Sequence, residues 1–154
     1  MLIPKKNEEF LKTLLKRNEG QIIDFKQSIT SAEKLAKTLV AFANTEGGII
    51  VVGVSDNKKI IGIDPGEEIY MVEKAISENC VPQPNFRFEL LETMEISEKH
   101  VETEKLILLV FVEKSNQKHF FKNQKGEKTY YRRLYDQTIP FSTCSDPSLP
   151  PTGN

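Results

Sequence analysis

The chain has 154 residues, 38% of them hydrophobic and 28% charged, with a net charge of −1. That length and mixture suit one well-buried domain and exclude a disordered chain. The longest apolar run, residues 106–112, is far short of the roughly 18 residues a membrane span needs. Met-Leu-Ile-Pro-Lys-Lys at the start holds no apolar stretch of a secretory signal, and Cys80 and Cys144 lack the neighbours of a zinc ligand set. The expectation is a cytoplasmic protein with two free thiols and no membrane partner.

The small net charge conceals a polarity. Residues 64–104 carry eleven acids against three bases, a net of −8, whereas residues 114–133 carry seven bases against Glu127 alone, a net of +6. Residues 1–17 add five bases against two acids, a net of +3. A polyanion responds to the local patch rather than the sum, so nucleic acid stays open as a partner. Self-association through the oppositely charged halves of two copies is a further option.

Phe10, Leu11, Leu14 and Leu15 recur at helical spacing and predict a helix over 7–17. Residues 18–20 break it, and 21–26 read as a short strand with Ile23 and Phe25 on one face and Ile22, Asp24 and Lys26 on the other. Thr30 followed by Glu33 has the form of a capping box. Leu35, Ala36, Leu39, Val40, Phe42 and Ala43 then make the apolar side of a second helix, which Gly47 or Gly48 ends. Residues 49–54 form a strand with no polar face, which requires cover on both sides. The turn at 56–58 returns a partner strand over 59–63. A third helix over 67–79 stops at Pro82 and Pro84. A strand over 86–90, an acidic segment to Glu104, a long buried strand over 105–112, and short strands over 119–122 and 129–134 around Gly126 complete the pattern. Residues 142–154, rich in Pro and Ser, are expected to lack structure.

Three features invite chemistry. The Gly47-Gly48 turn has the glycines of a phosphate cradle, yet the order helix, Gly-Gly, strand, without Gly-Lys-Ser/Thr, is not that of a nucleotide loop, and a helix stop is the simpler reading. Alternation puts Asp24 and Lys26 on one strand face; with Glu19 and Asp56 they would hold a divalent metal and a stabilising cation for phosphodiester cleavage, or else form an ordinary ion pair. The stretch Lys114, Lys118, His119, Lys122, Lys125, Lys128, Arg132 and Arg133 is interleaved with Phe120, Phe121, Tyr130, Tyr131 and Tyr135. Either it is a solvated hairpin face, with aromatics and bases on opposite sides, or it is a basic surface for phosphates with an exposed ring stacking on a base. His100 and His119 lack companions for a triad or metal motif and read as surface groups.

From Glu19 to Phe141 the chain resembles the Schlafen AlbA-type (AlbA_2) domain family. The residues that carry this are Glu19, Asp24-Phe25-Lys26, Ala41-Phe42-Ala43-Asn44-Thr45-Glu46-Gly47-Gly48, Gly53-Val54-Ser55-Asp56, Ile60-Ile61-Gly62 and Tyr130-Tyr131-Arg132-Arg133. The resemblance implies a DNA-binding module of the kind fused to winged-helix or ATPase-like regions in bacterial transcriptional regulators. In vertebrate Schlafens a corresponding acidic triad cleaves RNA with a divalent metal, and by motif position it falls on Glu19, Asp24 and Asp56. Asp24 stands where the family pattern has Glu, shortening the carboxylate's reach by about 1.5 Å.

The sequence therefore predicts an α+β single domain: an N-terminal helix in 1–18, an AlbA-like domain over 19–141 with a mixed sheet of about five or six strands and helices mostly on one face, and a tail over 142–154. The expected function is binding of DNA or RNA through Lys26, Lys118, Lys122, Lys125, Lys128, Arg132 and Arg133, with no cofactor. The alternative is a ribonuclease using Mg²⁺ or Mn²⁺ on Glu19, Asp24 and Asp56, with Lys26 assisting.

Overall fold

A computed structural model describes residues 2–141 apart from Ser97, with Ile96 by its backbone alone. The tail over 142–154, and with it Cys144, lies outside the described residues. Three helices and eight strands follow in the order α1 (Glu8–Leu15), β1 (Ile23–Lys26), α2 (Ala32–Asn44), β2 (Gly48–Val52), α3 (Pro65–Asn79), β3 (Cys80–Val81), β4 (Phe86–Ile96), β5 (Glu102–Val112), β6 (Phe120–Lys122), β7 (Lys128–Leu134) and β8 (Gln137–Phe141). The fold is α+β, as expected, but its strands form two sheets rather than one.

The first sheet has the order β1-β2-β5-β4, with β1 parallel to β2 and the other pairs antiparallel. The second is antiparallel throughout, in the order β3-β6-β7-β8. Helix α2 lies between them. Its Leu39, Phe42 and Ala43 share a core with Ile50, Val52, Leu108 and Val110 of the first sheet and Phe121 of the second. This explains why α2 is buried almost all round, Thr38 and Ala41 included, when its sequence promises only one apolar side. α1 covers the opposite face of the first sheet, where Leu11 and Leu14 meet Ile23, Phe25, Val51, Ile107 and Leu109. β2 and residues 106–112 of β5, covered on both sides, are accordingly apolar on both sides.

The structure corrects several expectations in detail. The cap of α2 is Ser31, whose hydroxyl accepts from the Lys34 N–H at 3.2 Å, rather than Thr30. Residues 59–63 give only a bridge between Val54 and Ile60, because Gly62 at φ +84° turns the chain away. The acidic segment, given no strand in the sequence, extends both strands beside it: β4 and β5 pair from Phe86↔Val112 out to Ile96↔Glu102, a long hairpin whose outer half is charged. Cys80 is a free, buried thiol, and burial pushes its pKa up to about 12. Among the described residues no helix is long and apolar enough to cross a membrane.

Candidate nucleic-acid interface

The end of α2 locks the second sheet in place. Asn44 Nδ2 donates to the carbonyls of His119 and Tyr131 at 2.8 and 2.9 Å, while its Oδ1 accepts from the His119 N–H at 2.8 Å. The Thr45 hydroxyl donates to the Ala41 carbonyl at 2.8 Å and accepts from the Arg133 N–H at 2.9 Å. The two glycines that follow are required by close approach. A Cβ on Gly47, whose φ is +73°, would sit 2.7 Å from the Val112 carbonyl oxygen, and one on Gly48 would sit 2.8 Å from that of Ile22. The Gly47 N–H donates to the Phe42 carbonyl at 2.7 Å, so it closes the helix instead of facing an anion.

Beside this clamp Arg133, 2% exposed, is enclosed. Its Nη2 meets Asp24 Oδ1 at 3.1 Å, its Nε donates to the Gly20 carbonyl at 3.0 Å, and its Nη1 donates to Thr138 Oγ1 at 3.1 Å. The guanidinium lies 5.0 Å from the centre of the Phe42 ring. The expectation of Arg133 on a phosphate-facing surface is therefore corrected. β7 alternation turns it inward, and it serves as an internal tie between β1, α2 and β8. His119 is corrected likewise: 1% exposed, its Nδ1 is 2.7 Å from the Pro82 carbonyl oxygen.

Asp24 Oδ2 also pairs with Lys26 Nζ at 3.1 Å, and the Phe25 N–H donates to Glu19 Oε2 at 2.9 Å. The two carboxyl groups influence one another, and their affinities for a proton separate. Partial burial, then the neighbouring Asp24, raises Glu19 above its ordinary value. Burial opposes ionisation of Asp24, but Lys26, Glu19 and Arg133 together outweigh it and hold that carboxyl below its usual range. The result is a carboxylate held between two cations, with Glu19 beside it.

Asp56 does not join this group. It is exposed in the turn after β2, and among the described residues no set of three or more His, Cys, Asp or Glu is placed to hold a metal ion. The donors also fit poorly, since Asp24 already faces two cations that a divalent ion would have to displace. Glu19, Asp24 and Lys26 are brought together; the expected metal triad is not.

The outer face of the second sheet has a different character. Register places Lys122 directly opposite Lys128, and Phe120 opposite Tyr130. Strand alternation then puts Lys128, Tyr130, Arg132 and Leu134 on one side of β7, with Thr129, Tyr131 and Arg133 on the other, toward α2. Bases and aromatics therefore share each face instead of dividing between them, because the sequence doubles each type: Tyr-Tyr, Arg-Arg. Lys125 is exposed in the turn between β6 and β7, and Lys118 is half-buried just before β6. Among the described residues none of Lys118, Lys122, Lys125 and Lys128 is paired with a carboxylate, and Glu127, the one acid between residues 114 and 133, accepts from Asn123 Nδ2 at 3.0 Å. The acidic hairpin answers its own bases: Glu89 pairs with Arg87, and Glu95 with Lys105. Sequence reasoning misses Asn44, Thr45 and Gln21 as organisers of this region; polar residues ending an apolar helix are the available signal, and they read only as a stop.

An α+β domain in which a helix end fastens a small basic antiparallel sheet to a mixed one is the class that these features define. The chain belongs to the Schlafen, AlbA_2 family, which it matches over residues 19–142. It is 31% identical over 150 aligned residues to the uncharacterized ATP-binding protein UU034 of Ureaplasma parvum serovar 3, an alignment that covers 83% of this chain and 42% of that protein. Its fold is similar to the crystal structure of the DIP2311 protein of Corynebacterium diphtheriae, with a TM-score of 0.51 at 16% identity over 87% of this chain and 29% of the other. The chain thus spans less than half the length of either.

Proposed function

We propose that this domain binds nucleic acid, holding phosphates on the outer face of the second sheet through Lys122, Lys128 and Arg132, with Lys118 and Lys125 at its margin. The observation that carries the reading is the Lys122–Lys128 pair. Like charges directly opposite across strands are unfavourable, and no carboxylate among the described residues relieves these two. A polyanion laid across the face would relieve them. Family membership supports a nucleic-acid association in general terms. Lys26 has a lesser part, since Asp24 already engages it.

Binding of this kind weakens steeply with salt and discriminates little among sequences. Fluorescence anisotropy with labelled DNA and RNA across a salt series tests it; engagement of about three phosphates gives a slope of about −3 in log affinity against log salt. Lys122→Glu with Lys128→Glu should abolish the signal, and a flat titration of the parent chain at low salt would end the proposal. Metal-dependent cleavage is the weaker reading, supported only by the closeness of Glu19 and Asp24. ATP binding, stated in the name of the Ureaplasma protein, finds no support in the Gly47-Gly48 turn, which is packed against backbone.

A further inference from the structure

We infer that Tyr135 is a stacking platform for an unpaired base, so that the basic face takes single-stranded nucleic acid in preference to duplex. The inference rests on the reading just given for that face and is carried by separate observations. Tyr135 occupies the turn between β7 and β8 with φ +55°, a left-handed conformation suited to Gly or Asn and strained for a bulky side chain. Its side chain stands in solvent, the residue being 83% exposed, so no core packing repays the strain. Lys58, at φ +64°, differs in having a structural role, since its ammonium meets the carbonyls of Leu15 and Arg17 at the end of α1. The Tyr135 side chain has no hydrogen bond or ring contact among the described residues.

The turn beneath it is nonetheless held firmly. Gln21 Oε1 accepts from the Tyr135 N–H at 2.9 Å, and Gln21 Nε2 donates to the Arg133 carbonyl at 2.7 Å. One side chain from the β1 approach thus grips the first residue of the turn and the strand that enters it, and Arg133 anchors the same corner to Asp24 and Gly20. A rigid mount for a solvent-facing ring favours stacking, because little order remains to be gained on binding. The ring also stands at the end of the basic track. From Lys128 to Leu134, β7 runs about 20 Å at roughly 3.3 Å per residue. A strand lying along it would set phosphates against Lys128 and Arg132 and bring a base to Tyr135. Bases within a duplex already stack on one another, so a flat ring can take only an unpaired one.

The chain contains no Trp, which makes Tyr135→Trp a reporter at a single position. Titrated with an oligothymidylate of about 15 nucleotides, a length within the usual range for such surfaces, its fluorescence should be strongly quenched; a duplex of equal length should leave it nearly unchanged. Tyr135→Asn, which suits the left-handed backbone, should melt no lower than the parent. It should bind the single strand about tenfold more weakly, the loss of one stacked base, and the duplex equally well. Absence of quenching, an unchanged single-strand affinity in Tyr135→Asn, or an equal loss on both probes would overturn the inference. If Lys122→Glu with Lys128→Glu abolishes binding while Tyr135→Asn alters nothing, the basic face stands and the stacking role falls. If the parent binds neither probe, both fall together.

Discussion

Arg132 and Arg133 are consecutive in the chain and belong to opposite regimes. Arg133 is buried on the inner face of the second sheet, tied to Asp24, Gly20 and Thr138 and set against Phe42. Arg132 is half-buried on the outer face, in line with Lys128 and beside the Lys122–Lys128 pair. A charge enclosed with its partners fixes geometry, because removing either side leaves the other stranded in a poor dielectric. Like charges set opposite one another across strands, as Lys122 and Lys128 are, give the fold no support. Inner-face substitutions should therefore act on stability and outer-face ones on binding.

The largest effect is expected from Arg133→Ala. It takes away one of the two cations on the Asp24 carboxylate and frees the Gly20 carbonyl, and should cost about 3 kcal/mol in urea denaturation, the low end for a broken buried pair because Lys26 remains. A change within ordinary surface scatter would erase the distinction between the two faces. Gly47→Ala comes next: a methyl 2.7 Å from the Val112 carbonyl oxygen at positive φ should cost about 2–3 kcal/mol by the same measurement. Asn44→Ala leaves the His119 and Tyr131 carbonyls and the His119 N–H without their partner and should cost about 1–3 kcal/mol. Hydrogen exchange should show the second sheet loosened more than the first, which sharpens the comparison by showing what fastens the sheet to α2.

On the outer face, Lys122→Ala should raise stability by a few tenths of a kcal/mol, about the size of a relieved cross-strand repulsion, while weakening nucleic-acid affinity at low salt. Loss of stability together with binding would mean that the outer lysine is structural after all. The smallest effect concerns pH. A carboxyl raised above its ordinary 4.5 in the folded state supports the fold at low pH and withdraws that support as pH rises through the folded value; Glu19 has this sign. Asp24, lowered from 3.8, has the opposite sign: its support is present above 3.8 and is lost as pH falls through the folded value. Glu19→Gln keeps an acceptor for the Phe25 N–H and cannot ionise. Its melting temperature should therefore gain on the parent as pH rises from 4.5 toward neutrality, and a difference that does not vary with pH would contradict the raised Glu19.

Local patterning was enough to set the three helices, β2 and the apolar half of β5, and the charge polarity. Period, capping and β-branched runs act over a few residues and do not need the rest of the chain. The same reading marked Glu19, Asp24 and Lys26 as neighbours, since all three belong to one short strand and its approach. Long-range packing was needed to divide the strands into two sheets with α2 between them, to set Asn44 and Thr45 against β6 and β7, and to keep Asp56 apart from the other acids. Register made the last assignment, Arg133 inward and Arg132 outward. Shifting a strand by one residue exchanges every side chain between faces, and the face that is buried depends on α2 and β1, which are remote from β7 in the chain.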